Sequence, residues 1–403
     1  MIFVPTSSLK PGMVVAKTVV SSYDSTSLPL VTKGLVLTNC IIRRLEERSM
    51  SGCYIDTEFS KDIEPGDIIG PTLKKKALSG IKRVFEEVSI TRKISIDNMS
   101  LVTEIAKELV LQILQSDEVL IDFLDLQNYD DYTYRHSLSV AIFSVAIGHK
   151  LGYGTSLLMD LATGALLHDV GKTDISIDLI NKPGKLTTEE YAIIKRHPEM
   201  AVERLKSGHS VSSVVLNGIL SHHERFNGTG YPRGLSGADI PVYGRILAVA
   251  DVYDALTTIR PYRKAWFPDE AIEYLLRYKG IHFDPEIIEA FLKIVVPYPI
   301  GTMVELSNGC PAIVIKNNEN KLRPVVRMFN VEDDVPFCEV DLMNDLNFAD
   351  LSITSLGYNS RLIDYNAFIT KCNIMPEDLR DGSSEDLRDL MPHEHDVGAE
   401  EED

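Results

Sequence analysis

HHERFNGTGYPRGLSGADIP, residues 222–241, runs from two adjacent histidines into a glycine-rich loop. Outward from His222-His223, further side chains of the metal-binding type recur at regular distances. Upstream stand His197, the pair His168-Asp169, and His136; downstream stands Asp251. The gaps between successive groups are 32, 29, 25 and 28 residues, each the length of about one helix plus one loop. Five successive helices would then each deliver a side chain to one point inside a bundle, which is how bundle-core metal sites are assembled. The spacing predicts an all-α central domain.

A lone histidine is more often a hydrogen-bonded core or surface residue than a ligand, and His149, His209, His393 and His395 are read in that way. The series is harder to dismiss. Five imidazoles and two carboxylates suit a pair of divalent ions such as Fe or Mn better than calcium or a closed zinc site. A carboxylate between two such ions can bridge them. Lys172 follows in ALLHDVGK (165–172), one turn from Asp169. An ammonium there can neutralise a phosphate oxygen as a point charge. In the loop, Gly228 and Gly230 permit positive φ or close backbone approach, Pro232 stiffens the chain, and Tyr231 offers a ring face and a hydroxyl.

The chain is expected to be multidomain, with small β-rich modules flanking the helices. Residues 1–60 read as an α+β module: short strands at Met13–Val20, Leu28–Val31 and Leu35–Thr38, a helix Ile41–Arg48 capped by Asn39, and an extended Tyr54–Ile55. Residues 61–114, with Pro65-Gly66 and Gly70-Pro71, read as a linker and connecting helices. The helical domain is placed at 115–297. Inside it Thr187 and Glu190 predict a capping box, and Pro241 the first turn of a helix through Arg245–Leu256. Met303–Leu306, Ala312–Ile315 and Pro324–Met328 predict a β-rich module at 298–346, followed by a segment 347–375. Residues 376–403 carry 12 acidic and 2 basic residues and no aromatics, the composition of a disordered tail.

The balance of 44% hydrophobic and 25% charged residues excludes a wholly disordered or fibrous chain. A net charge of −18 with no basic run of five argues against a broad grip on duplex DNA or RNA. A small anionic ligand needs only local positive charge. Five widely spaced cysteines without a CxxC argue against a disulfide framework and fit a reducing cytoplasm. No signal-peptide pattern and no apolar run of 18 residues are found, so a cytoplasmic chain without membrane insertion is expected.

The motifs are DYTYRHSLSVA (131–141), ALLHDVGK (165–172), IIKRHPEMA (193–201), SHHERFNGTGYPRGLSG (221–237), ILAVADVYDALT (246–257), RPYR (260–263) and HFDP (282–285). Over roughly 115–295 the sequence resembles the HD-GYP phosphodiesterases, a branch of the HD superfamily. That resemblance implies an HD-type helical bundle and hydrolysis of the bacterial second messenger cyclic di-GMP. It implies one metal site of His136, His168, Asp169 and Asp251, and a second of His197, His222 and His223, with Asp169 bridging. Lys172, Arg260 and Arg263 match phosphate contacts, and Tyr231 belongs to the name-giving loop. Two departures stand out. Some members hold a third metal with a Glu four residues before the first histidine; here that position is Tyr132, and Asp130 and Asp131 are misplaced by a helical turn, so a dinuclear centre is expected. The common Asp of the loop is Asn227, which is expected to alter loop contacts rather than metal binding.

The mechanism so implied uses a hydroxide bridging two metal ions to attack phosphorus, giving linear pGpG and, after a second cut, GMP. Asp254, one turn after Asp251, can orient a ligand histidine, handle a proton, or serve on a helix surface. The outer modules are expected to pack, to form a homodimer or to bind a signalling partner. Two other readings stay open: a catalytically weak cyclic-dinucleotide sensor, and an HD hydrolase of another cyclic dinucleotide or nucleotide.

Overall fold

The structure, a computed structural model, describes residues 1–19, 29–48, 50, 52–66, 68–115, 132–180, 182, 184–206, 211–258, 266–329 and 336–357. At the start of the chain β1 (Ile2–Pro5), β2 (Val14–Val15) and β3 (Gly52–Asp56) form an antiparallel sheet with β3 in the middle. The longer strands expected after Met13 shorten to β2 and isolated bridges, Val14 to Val36 and Val19 to Val31. A tight turn limits them: the Gly34 amide already donates to the Val15 carbonyl at 2.7 Å. The helix α1 (Asn39–Glu47) begins at the residue expected to cap it. Thr38, in extended conformation, supplies the capping oxygen to the Ile41 amide, so Asn39 is inside the helix.

Next come α2 (Pro71–Thr91) and α3 (Ile96–Gln115). The first buries Leu73, Ala77, Ile81, Val84 and Val88, the second Val102, Ile105, Leu109 and Ile113, both at helical three-and-four spacing. These helices do more than connect. Their buried faces share one apolar core that extends to Val295. Each fully buried Leu or Ile in it contributes about 1.5–3 kcal/mol of transfer free energy.

The centre of that core is α4 (Tyr132–Lys150), buried along nearly its whole length from Leu138 to Ile147. It packs on α5 (Thr155–Leu167), and two short helices follow, α6 (Ile177–Ile180) and α7 (Thr188–Ile194). The expected capping box opens α7: Thr187 accepts from the Glu190 amide, and Glu190 accepts from the Thr187 amide. Then come α8 (His197–Lys206), α9 (Ser213–Ser221), α10 (Val242–Thr257), α11 (Pro268–Arg277) and α12 (Pro285–Leu292). Pro241 sits just outside α10 as its N-cap rather than in its first turn. The five ligand-type positions are therefore not on successive helices, because α6 and α7 fill the gap between His168 and His197.

Five antiparallel strands follow: β4 (Met303–Leu306), β5 (Pro311–Lys316), β6 (Val325–Phe329), β7 (Pro336–Asp341) and β8 (Ile353–Leu356), in the order β7-β6-β5-β4-β8. The expected module end at 346 falls short, since β8 pairs with β4. The short, hydroxyl-rich run ITSL gave little apolar signal. The two β-rich modules pack on each other. Ile2, Val4 and Ile55 share a core with Met303, Ile313 and Phe329, and Arg327 pairs with Asp62 at 2.6 Å. No helix among the described residues is long and apolar enough to cross a membrane. The acidic segment 376–403 lies outside the described residues.

Candidate metal centre

Three histidines stand at helix ends: His168 caps the C-terminus of α5, His197 is the first residue of α8, and His222 caps the C-terminus of α9. Each Nδ1 lies against the carbonyl three residues back: His168 to Ala165 at 2.7 Å, His197 to Ile194 at 2.8 Å, and His222 to Ile219 at 2.6 Å. A carbonyl only accepts, so each Nδ1 carries the proton and donates it. In the neutral ring Nε2 is then a lone pair. Burial keeps the rings neutral: it pushes His197 down to about 3 and His222 to about 4, and lowers His168 as well.

Those lone pairs converge. The Nε2 atoms of His197 and His222 are 3.2 Å apart, and His223 Nε2 is 3.2 Å from His197 Nε2. Two proton-free nitrogens at that distance repel, so the first pair needs a positive charge or a proton donor between them. His168 Nε2 and Asp169 Oδ1 are buried with no hydrogen-bond partner. Buried polar atoms without partners are rare and costly. A divalent cation would satisfy all of these atoms, and the donor set of imidazole plus carboxylate suits a transition metal.

Asp169 sits at the centre, as N-cap of the 3-10 turn Val170–Asp174. Its Oδ1 lies 3.4 Å from His197 Nε2, and its Oδ2 lies 3.5 Å from His168 Nε2 and 3.6 Å from His136 Nε2. One oxygen thus faces each histidine set. Lys172, from the same turn, donates to Oδ2. Burial alone would raise the Asp169 carboxyl, but Lys172 and the histidines hold it well below the usual range.

On the far side, α4 and α10 meet. His136 Nε2 is 3.1 Å from Asp251 Oδ1, and its Nδ1 is 2.7 Å from Asp254 Oδ2. Burial lowers the His136 imidazole, yet hydrogen bonds to Asp251 and Asp254 outweigh it and raise it to about 9. A cation between His136 and Asp251 would take the place of that proton. Asp254 is buried, which removes the helix-surface reading, and its contact with His136 Nδ1 fits both orienting that ring and handling its proton. The structure therefore brings together His136, His168, Asp169, His197, His222, His223 and Asp251. Three overlapping groups within them, His197-His222-His223, His136-His168-Asp251 and His168-Asp169-His222, have the spacing of metal ligands.

The glycine-rich loop closes over this cluster. Gly230 passes so close to the backbone of Glu224 and Arg225 that a Cβ would lie 2.6 Å from the Glu224 carbonyl carbon, which only glycine avoids. Tyr231 then stacks on His223, with ring centroids 4.8 Å apart, and burial pushes its hydroxyl up, keeping it a neutral donor. Asn227 accepts from the amide and hydroxyl of Thr229, so it shapes its own loop. Glu224 was given no role by the sequence. It is buried, and its two oxygens accept from the amides of Arg233 at 2.8 Å and Leu235 at 3.0 Å, clamping the far side of the loop. Its signal was an acidic residue between a histidine pair and a glycine turn. Arg260, Arg263, Asp130 and Asp131 lie outside the described residues, as does the side chain of Tyr132.

Residues 118–287 match the model of the HD domain family. Among curated relatives, it is 35% identical over 258 residues to the cyclic di-GMP phosphodiesterase PA4108 of Pseudomonas aeruginosa, covering 64% of this chain and 61% of that protein. It is 39% identical over 162 residues to 3'3'-cGAMP-specific phosphodiesterase 2 of Vibrio cholerae, covering 40% and 31%. It is 34% identical over 189 residues to a cyclic di-GMP phosphodiesterase of Thermotoga maritima, covering 47% and 50%. The chain thus spans less than two thirds of the length of each of these relatives. The helix-end histidines and the Asp169 turn all fall inside the matched segment, residues 118–287.

Proposed function

We propose that this chain is a metal-dependent phosphodiesterase that hydrolyses cyclic di-GMP. The carrying observation is the convergence of proton-free Nε2 atoms on the two oxygens of Asp169. His136, His168 and Asp251 would hold one divalent ion, His197, His222 and His223 the other, and Asp169 both. Fe and Mn are the proposed ions, since imidazole and carboxylate together suit them. Such a pair supplies Lewis acidity, lowering the pKa of water from 15.7 toward about 7 and offsetting phosphoryl charge.

The chain's own groups do the rest. Lys172 stands beside Asp169, where its ammonium offsets charge on a phosphoryl oxygen. Tyr231 keeps its proton and presents its hydroxyl beside His223. Asp254 holds His136 with Nδ1 protonated, so that Nε2 faces inward. Arg260 and Arg263 are further phosphate contacts in this proposal, on the resemblance of RPYR (260–263) alone. Hydrolysis adds one water across one P–O3′ bond and gives linear pGpG; a second addition gives GMP.

The relatives' names support this substrate and also keep 3'3'-cGAMP in view. The test is anaerobic turnover by protein loaded with Fe(II) or Mn(II), offered cyclic di-GMP and 3'3'-cGAMP side by side, with products separated chromatographically. Formation of pGpG or GMP, lost in Asp169→Ala, supports the reading. Faster loss of 3'3'-cGAMP redirects the substrate. Binding of cyclic di-GMP without cleavage by metal-replete protein moves the chain to the sensor reading.

A further inference from the structure

Lys195 caps the C-terminus of α7, two residues before His197. Its ammonium lies over two aromatic rings, 4.5 Å from the centroid of Tyr191 and 5.4 Å from that of Tyr231. Tyr231 in turn stacks on His223. The side chain is half-buried, and among the described residues no carboxylate pairs with it. Ring faces attract and position a cation, but they do not neutralise it. A positioned ammonium with uncompensated charge is thus held one ring away from the metal-ligand cluster.

A cyclic dinucleotide carries two phosphodiesters, one negative charge on each. Only one can lie over Asp169 at a time, and Lys172 is already committed there. The other phosphate must be held elsewhere, within the span of the same small ring. We propose that Lys195 binds the phosphate that is not being cleaved, and so favours a bis-phosphodiester ring over a substrate with a single phosphate. Tyr191 and Tyr231 act as positioning residues for its ammonium. The inference rests on the phosphodiesterase reading above.

The test compares the metal-loaded full chain with Lys195→Met and Lys195→Arg, reading KM and kcat for cyclic di-GMP together with metal stoichiometry. Loss of one charge-assisted contact is expected to raise KM about tenfold in Lys195→Met. The expected kcat and metal content stay close to wild type, and Lys195→Arg restores most of the KM. An unchanged KM in Lys195→Met overturns the proposal. So does a fall in metal content with a matching fall in kcat, which would mean that Lys195 only supports His197. Wild-type protein that holds metal yet neither binds nor cleaves cyclic di-GMP would instead overturn the function itself, and this inference with it.

Discussion

Gly171, in the turn that carries Asp169 and Lys172, faces the first turn of α8. A Cβ there would lie 2.5 Å from the Ala201 amide nitrogen and 3.0 Å from the His197 carbonyl carbon, and closer still to the His197 oxygen. Ordinary contact begins at 3.4 Å. All three obstacles are backbone, so no rotamer change relieves them, and α8 or the turn must move by roughly an ångström. Overpacking of this kind costs about 1–3 kcal/mol, and Gly171→Ala belongs at the upper end. The same shift moves His197 away from His222, His223 and Asp169. A misplacement of about 1 Å in a site of this kind can cost roughly a hundredfold in rate. Thermal melting and metal-dependent turnover read the two effects. Gly164→Ala is the matched control: it lies within α5, and its Cβ would meet Val215 at 3.4 Å, an ordinary contact. It is expected to hold or raise the melting temperature, since a helical glycine is about 0.5–1 kcal/mol less stable than alanine. A Gly171→Ala protein that melts and turns over like Gly164→Ala would refute the claim that the turn and α8 are fitted to each other at this point.

Asp254→Ala removes the acceptor of the His136 Nδ1 proton, so metal affinity should fall about 10–100-fold in a chelator competition, with Asp254→Asn milder; equal affinity in all three proteins would remove its orienting role. Glu224→Ala releases two amides of the loop and should lower turnover while metal stoichiometry holds, because Glu224 touches the loop and not the cluster; loss of metal would contradict that division. In metal-free protein, His197 and His222 lie below their unfolded value of 6.5, so the unfolded chain binds protons first as pH falls and stability is lost from 6.5 downward, on the order of 3 kcal/mol for His222 by about pH 4. His136 lies above it, so its contribution is full below 6.5 and lost as pH rises through about 9. Melting of metal-free protein should therefore peak near pH 6.5, and an unbroken rise in stability from pH 6.5 to 9 would count against the assignment of His136.

Most of the site was legible because it is made of rare residue types at helix-length spacing. His136, His168, Asp169, His197, His222, His223 and Asp251 announce themselves one by one and then meet in space. What spacing could not show is how three of them are aimed. His168, His197 and His222 use one device, a ring nitrogen tied to the carbonyl three residues back, and that requires knowing where α5, α8 and α9 start and stop. Glu224 and Lys195 stayed hidden for a different reason. Each is an ordinary charged residue whose role comes from what it faces: two backbone amides for Glu224, two aromatic rings for Lys195. The elements around the central domain misled the sequence reading through weak signals. The ITSL strand was too polar to stand out, and α2 and α3 looked like connectors because a buried helical face cannot be told from a surface one until its neighbour is known.

The hydrogen bonding of the histidine cluster favours metal ligands over packing. A cluster of imidazoles could be buried for packing alone, but then their polar atoms would find hydrogen-bond partners, as buried polar groups do. Here the outward-facing nitrogens of His168, His197 and His222 are all satisfied by backbone, while His168 Nε2 and Asp169 Oδ1 inside the cluster are not. Both lie among the converging histidine nitrogens, around a carboxylate that turns one oxygen to each histidine set, which is the arrangement a cation-binding centre requires.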